Sequence, residues 1–263
     1  MGLEIRFLGP WEVEVAGREV QIAGRRRIGA LARLAMNAGQ AVHADRIIGD
    51  VWADSPAATA GKQLHIVISK LRETLGDPAL IQTVPGGYRL DLEPDRVDAH
   101  RFVRLARRAR TARAEGAPGS ADALFRQALA LWRGPALAEL DVPWGRIEAD
   151  RLQRERLAVL EDHVDLRLAA GEHRAVAAEL AAHVAAHPLR EKPAAQLMLA
   201  LHRDARAQEA LEVYQRLRRT MVEELGIEPG AEVRHLHRAI LVQDPVLLQD
   251  RQITLDQPVV PAE

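Results

Sequence analysis

The chain of 263 residues contains no cysteine. That excludes disulfides, thiolate nucleophiles and Cys-based zinc sites, and it fits a reducing cytoplasm. No apolar run approaches the ~18 residues that a membrane span needs, so no transmembrane helix and no membrane partner are expected. The N-terminus, MGLEIRFLGPWEVEV, has no basic n-region and no long apolar core, so no signal peptide is expected. Net charge is −1, which by itself names no partner.

Catalytic motifs are missing as well. The segment PAATAGKQ (56–63) looks at first like a phosphate loop. Pro56 stands where the first glycine belongs, and Gln63 where Ser or Thr would hold magnesium. His183 and His187 have the i, i+4 spacing of helical zinc ligands. Val184 follows His183 where a metalloprotease needs Glu, and no third ligand is evident. His235 and His237 point to different faces of a helix. No Gly-x-Ser-x-Gly elbow occurs. The carboxylates are scattered along charged helix faces. The expectation is a protein that is not an enzyme and uses no cofactor and no metal.

What is present is periodicity. Residues 61–76, GKQLHIVISKLRETLG, place Leu64, Val67, Ile68, Leu71 and Leu75 on one stripe of a helix. The other face carries Lys62, Ile66, Ser69 and Glu73, flanked by Gln63, His65, Lys70 and Arg72. An isoleucine among amides and bases on an outward face needs a reason. Thr59 suits the N-cap of this helix, and Gly76 its end. Upstream, LEIRFLG and WEVEVAG read as short strands, with a further one near Glu19–Ile22. Arg25–Asn37 and His43–Trp52 read as helices. Leu80–Leu92 forms two alternating runs around Pro-Gly-Gly, a β-hairpin signal. Positive charge clusters locally: Arg25, Arg26, Arg27 and Arg33 lie in a stretch without acids, as do Lys62, Lys70 and Arg72. Phosphate contact would need such clusters; a solvated helix face is the competing reading.

After EPDRVD (93–98) the pattern is helical throughout, with helices near 98–115, 120–132, 146–170, 172–186, 190–203, 206–225 and 231–242. GEHRAVAAEL (171–180) aligns with ARAQEALEVY (205–214) at an offset of 34, the tetratricopeptide (TPR) period. Ala205 replaces the glycine of the first unit. A TPR-like array, or an unrelated helical bundle, would present a protein-binding surface. The expected organisation is domain 1–93, domain 94–245, and an extended or disordered tail 246–263.

The order strands, three helices, hairpin adds a resemblance. KQLHIVISKLRETLG followed by ALIQTVPGGYRLDL resembles the recognition helix and wing of OmpR-type winged-helix DNA-binding domains. GQAVHADRIIGDVW resembles their second helix and the strand leading into it. DRVDAHRF, ALALWRGPAL, AAHPLREKPAAQLMLALHR and EELGIEPGAEVRHLHRAIL resemble the bacterial transcriptional activator domain. The pair is the hallmark of the SARP family, antibiotic-pathway regulators of actinomycetes. The resemblance implies a mainly α protein with a small β part, an OmpR-like winged helix-turn-helix followed by an all-α TPR-like activator domain. It implies a cytoplasmic, nucleoid-associated transcriptional activator. Such a protein binds tandem direct repeats in double-stranded promoter DNA near the −35 region as two protomers. It recruits RNA polymerase with its sigma factor to antibiotic (secondary-metabolite) biosynthesis promoters. The alternative is an interaction module whose winged helix does not bind DNA.

Carried over by position, the resemblance puts Lys62, Gln63, Ile66, Ser69 and Lys70 in the groove, and Arg25, Arg26, Arg27, Arg72 and Arg89 on phosphates. The chemistry agrees: Lys donates to guanine, Gln pairs with adenine, and an apolar group packs on the thymine methyl. Pro85 occupies the place where OmpR-type wings often carry a minor-groove Arg, which leaves Arg89 a backbone contact only. Tyr88 and Trp52 read as core. The loop residues Asp54, Ser55 and Pro56 correspond to a polymerase-facing position.

Overall fold

Leu3 and Ile5 alternate with Glu4 and Arg6, and this period of two builds the first sheet. A computed structural model describes residues 2–52 and 59–248. Strands β1 (Leu3–Arg6), β2 (Glu12–Val15) and β3 (Arg18–Glu19) form an antiparallel sheet in that order. Leu3, Ile5 and Val13 are buried on one face. On the other face the Arg6 guanidinium donates to Glu12 at 2.8 Å and Glu14 at 2.9 Å.

Then come α1 (Arg25–Ala35), β4 (Ala41–His43), α2 (Ala44–Val51), α3 (Ala60–Leu75), β5 (Ile81–Val84) and β6 (Gly87–Leu90). The second sheet has the order β4-β6-β5. The segment expected to lead into the second helix is β4, paired antiparallel with β6 through Val42 and Tyr88. The helix therefore starts at Ala44, with His43 as its cap. Gly87 sits where β4 crosses closely: a β-carbon there would lie 2.0 Å from the Val42 carbonyl oxygen. The wing is β5, the turn Pro85-Gly86 and β6, with Val84 opposite Gly87.

Helix α3 buries Leu64, Val67, Ile68, Leu71 and Leu75 against α1 and α2, as its period requires. Each such side chain contributes roughly 1.5–3 kcal/mol when fully buried. Gly76, at φ 73°, closes the helix in the left-handed conformation.

The chain divides into two compact units, Met1–Val159 and Leu160–Glu263, and the division falls inside α6 (Pro143–Ala169). The first unit thus holds both sheets together with α4 (Asp98–Ala114), α5 (Pro118–Ala130) and the start of α6. Asp98, buried at the first turn of α4, accepts the backbone N–H of Phe7 at 2.7 Å and of Leu8 at 2.9 Å. Burial pushes its carboxyl above the usual range, and the two amides pull against that.

The second unit contains the end of α6 with α7 (His173–Ala186), α8 (Glu191–Arg203), α9 (Ala207–Leu225) and α10 (Ala231–Leu241). Its core gathers Val164, Leu168, Val176, Leu180, Met198, Leu201, Val213, Leu217 and Leu236. The offset of 34 reappears as a backbone motif. Gly171 (φ 83°) and Ala205 (φ 60°) both end a helix in the left-handed region. The following amides, of Glu172 and Arg206, donate to Arg167 O at 3.1 Å and Leu201 O at 2.8 Å, the same relative position. The repeat holds in conformation although Ala replaces Gly. The observed fold is the mainly α architecture with a small β part expected above. Pro245–Leu248 form one turn of 3-10 helix in which Leu247 is buried, at the start of the stretch expected to be an extended or disordered tail, 246–263. Arg203 holds the Leu247 carbonyl at 2.7 Å. The rest of the expected tail, 249–263, lies outside the described residues.

Candidate nucleic-acid interface

Lys62, His65, Ile66, Ser69, Lys70 and Glu73 form the outward face of α3. Ile66 is 61% exposed, opposite the core stripe, so the helical register is the one read from the sequence. Next to it lies the first turn of α1, which contains three arginines and no acid. A shallow groove of about 440 Å³ runs between them, lined by Gly24, Arg25, Arg26, Arg27, Ile66, Val67 and Lys70. No acidic residue lines it. Its walls are cationic and its floor is apolar, which suits a phosphate chain beside base edges.

Within this frame the expected residues divide. Lys62 is exposed on the first turn of α3, and Ser69 is exposed two turns on. Lys70 is exposed but donates to Glu73 at 2.7 Å, an ion pair that DNA would have to open. The Lys70 ammonium holds the Glu73 carboxyl below its usual range.

Gln63 is turned inward along the surface. Its Oε1 accepts the Trp52 indole N–H at 2.9 Å and the Arg26 guanidinium at 2.8 Å, and its Nε2 donates to Thr59. Pairing of this amide with adenine would require these hydrogen bonds to open. Arg26 also lies over the Trp52 ring, 5.4 Å from its centroid. Gln63 therefore ties α3 to α1 and holds Arg26 at the groove.

Arg72, expected on a phosphate, reaches the wing instead. Its Nε and one terminal nitrogen donate to Ile81 O at 2.8 and 2.5 Å, and the same terminal nitrogen donates to Thr83 Oγ1 at 2.9 Å. Arg89 sits on the central strand of the second sheet and donates to Gln82 Oε1 at 2.6 Å. Both arginines brace the wing in the free chain. Arg25 donates to the carbonyl oxygen of Asp141 at 2.8 Å. Arg27 is half-buried at the groove mouth. Asp54, Ser55 and Pro56 lie outside the described residues.

Trp52 and Tyr88 are core, as expected, at 5% and 3% exposure. The Tyr88 hydroxyl reaches His65 Nδ1 at 2.6 Å, a second tie between α3 and the wing. Arg33, part of the basic cluster in sequence, is withdrawn from any outer face. It pairs with Asp50 at 2.6 Å and stacks on the Trp144 ring at 4.0 Å. Helical spacing sorts α3 into faces but carries no sign of such ties, because their partners belong to other elements.

Comparison with known proteins agrees with this architecture. The family model described as transcriptional regulatory protein, C terminal, matches residues 18–90, and that of the bacterial transcriptional activator domain matches residues 97–241. Regulatory protein DnrI of Streptomyces peucetius is 38% identical over 92% of this chain and 93% of its own length. Transcriptional regulator RedD of Streptomyces coelicolor is 34% identical over 93% of this chain and 72% of its own. Regulatory protein AfsR of the same species is 35% identical over 94% of this chain, which spans only 25% of AfsR. The solved structure of Mycobacterium tuberculosis EmbR in complex with a low affinity phosphopeptide matches with a TM-score of 0.88 at 32% identity, over 92% of this chain and 66% of that one. Fold and comparisons define a transcriptional regulator in which an OmpR-type winged helix precedes a helical activator domain. The chain belongs to the SARP family. Among the described residues no helix is long and apolar enough to cross a membrane.

Proposed function

We propose that the chain is a sequence-specific activator that lays the outer face of α3 in the major groove. Lys62, Ile66, Ser69 and Lys70 read bases, while Arg25, Arg26 and Arg27 hold the adjoining phosphates. Gln63 keeps α3 and Arg26 in register; Arg72 and Arg89 keep the wing in place and reach phosphate only with hydrogen bonds they can spare. The DNA-binding part spans 1–93 and the activator part 94–245. Two protomers occupy tandem direct repeats near the −35 region. They recruit RNA polymerase through its sigma factor to antibiotic biosynthesis promoters. The observation that carries this reading is the acid-free groove between α1 and α3, with an exposed Ile66 among cations.

The test is selection of bound duplexes from a random-sequence pool by the purified chain, followed by footprinting of the selected duplex on a promoter. Two equally spaced protected repeats are expected, with affinity that falls steeply as salt rises. Binding without enrichment of any sequence, or no salt-dependent binding, sinks the reading and leaves an interaction module. Transcription with purified polymerase holoenzyme from the footprinted promoter then tests recruitment.

A further inference from the structure

Helix α1 carries Arg25, Gly29 and Arg33 at i, i+4 and i+8, a single stripe. All three meet the connection between α5 and α6 or the first turn of α6. The Arg33 guanidinium stacks on Trp144, and a β-carbon at Gly29 would lie 3.8 Å from Leu140 Cδ1. Arg25 donates to the Asp141 carbonyl at 2.8 Å and lies 3.7 Å from its carboxylate. The connection is itself well anchored. Arg133 N donates to Leu8 O at 2.7 Å, Leu137 N to Phe7 O at 2.9 Å, and Leu140 is buried. Residues 97–241 match the activator domain, so the residue that restrains this arginine of the groove belongs to the activator half of the chain.

The pair is open to solvent on both sides, with Arg25 74% and Asp141 66% exposed. Asp141 has a second cation: Arg146 donates to its Oδ1 through Nε at 3.1 Å and through a terminal nitrogen. Arg25 can therefore leave without stranding the carboxylate, while the loop stays where it is. A DNA phosphate offers the same guanidinium a stronger, charge-assisted acceptor.

Resting on the DNA-binding reading above, we propose that Asp141 competes with the DNA backbone for Arg25, so that the α5–α6 connection sets the affinity of the winged helix for DNA. In the free chain Arg25, one of the residues lining the groove, has Asp141 as its acceptor. On DNA the arginine changes partner and Asp141 keeps Arg146. The activator half thereby has a direct electrostatic hold on the DNA face.

The test uses the full chain and fluorescence anisotropy with a labelled mixed-sequence DNA duplex, since phosphate contacts do not depend on sequence. Asp141→Asn removes the charge and keeps the shape. It should tighten binding by about 1.5-fold to fivefold, the range open to an exposed pair. Arg25→Ala should weaken binding and lower the salt slope by about 1. In the Arg25→Ala background, Asp141→Asn should change nothing. Asp141→Asn that binds as the wild type does overturns the proposal. So does an equal gain in both backgrounds, which would mean a general field effect of one less anion. If the wild-type chain itself shows no salt-dependent binding, it is the DNA-binding reading that has failed.

Discussion

Helices α3 and α9 are both amphipathic, both bury one apolar stripe, and both end on a left-handed glycine, Gly76 or Gly226. They differ in their outer faces. Helix α9 mixes Glu209, Glu212, Glu223 and Glu224 with Arg216, Arg218 and Arg219. Arg218 is clamped by both oxygens of Glu228 at 2.6 Å, and Arg206 just before the helix pairs with Glu209 at 2.7 Å. Helix α3 has Glu73 as its single acid; Ile66 and Lys70 line an acid-free groove, and Lys62 and Ser69 are exposed on the same helix. A face of mixed charge solvates a helix and is worth little to stability. A mainly cationic face beside an apolar side chain is suited to an anionic, grooved partner. The two helices obey one folding rule and differ in how much of their outer-face charge is paired within the chain.

The sharpest way to break the comparison is Ile66→Asp, which puts an anion at the centre of the α3 face. Binding to a selected duplex should fall by about a hundredfold or more, as phosphate and base edges repel it. The thermal melt should be unchanged, because Ile66 is exposed. Val222→Asp on α9 should leave DNA binding alone; a comparable loss there would erase the distinction.

Asp98→Ala probes a charge used wholly inside the fold. It leaves the Phe7 and Leu8 amides buried without an acceptor, so stability should fall by about 2–4 kcal/mol in urea unfolding. A loss below the error of the measurement would mean that water replaces the carboxylate. Lys70→Ala should cost about 1–3 kcal/mol of binding and relax preference at one position of each repeat. Uniform weakening across sequences would make Lys70 a phosphate contact, in which case Glu73 only competes with the DNA backbone.

The second unit should respond to acid. Burial holds the imidazoles of His202 and His237 below their ordinary value of 6.5. The folded value lies below the unfolded one, so this stability is complete above pH 6.5 and declines as pH falls toward the folded-state values. A midpoint of unfolding followed between neutral pH and about pH 5 should drop, and less so in His202→Gln. The smallest effect is at the repeat turn. Ala205→Gly should stabilise by roughly 0.5–1 kcal/mol, because the left-handed conformation at φ 60° costs alanine more than glycine. Gly171→Ala should do the reverse. Equal responses in the same direction would deny the equivalence of the two turns.

Much of the fold was legible before any coordinates. The spacing of Leu64, Val67, Ile68, Leu71 and Leu75 sufficed for α3 and for the exposure of Ile66, since period decides burial whatever the partner. Glycine and proline marked the ends of the helical repeats, and the motif order along the chain carried the family. The polar part of the site was only half legible. Gln63 and Lys62 are neighbours of similar polarity, yet one is bound to Trp52, Arg26 and Thr59 while the other faces outward. Arg72 and Arg89 have the residue type of a phosphate contact and the geometry of a brace.

The sequence by itself determined which residues are helical, which face of each helix is apolar, and where positive charge can gather. Those properties are local, set by side-chain spacing of three to four residues along a helix. Only the tertiary structure decided which cations are open to a partner and which are already held. That choice depends on acceptors brought near from elsewhere in the chain: Ile81 for Arg72, Gln63 for Arg26 and Asp141 for Arg25. A hydrogen bond forms over about 3 Å of space whatever the separation along the chain, so the pattern of residues alone carries no record of it.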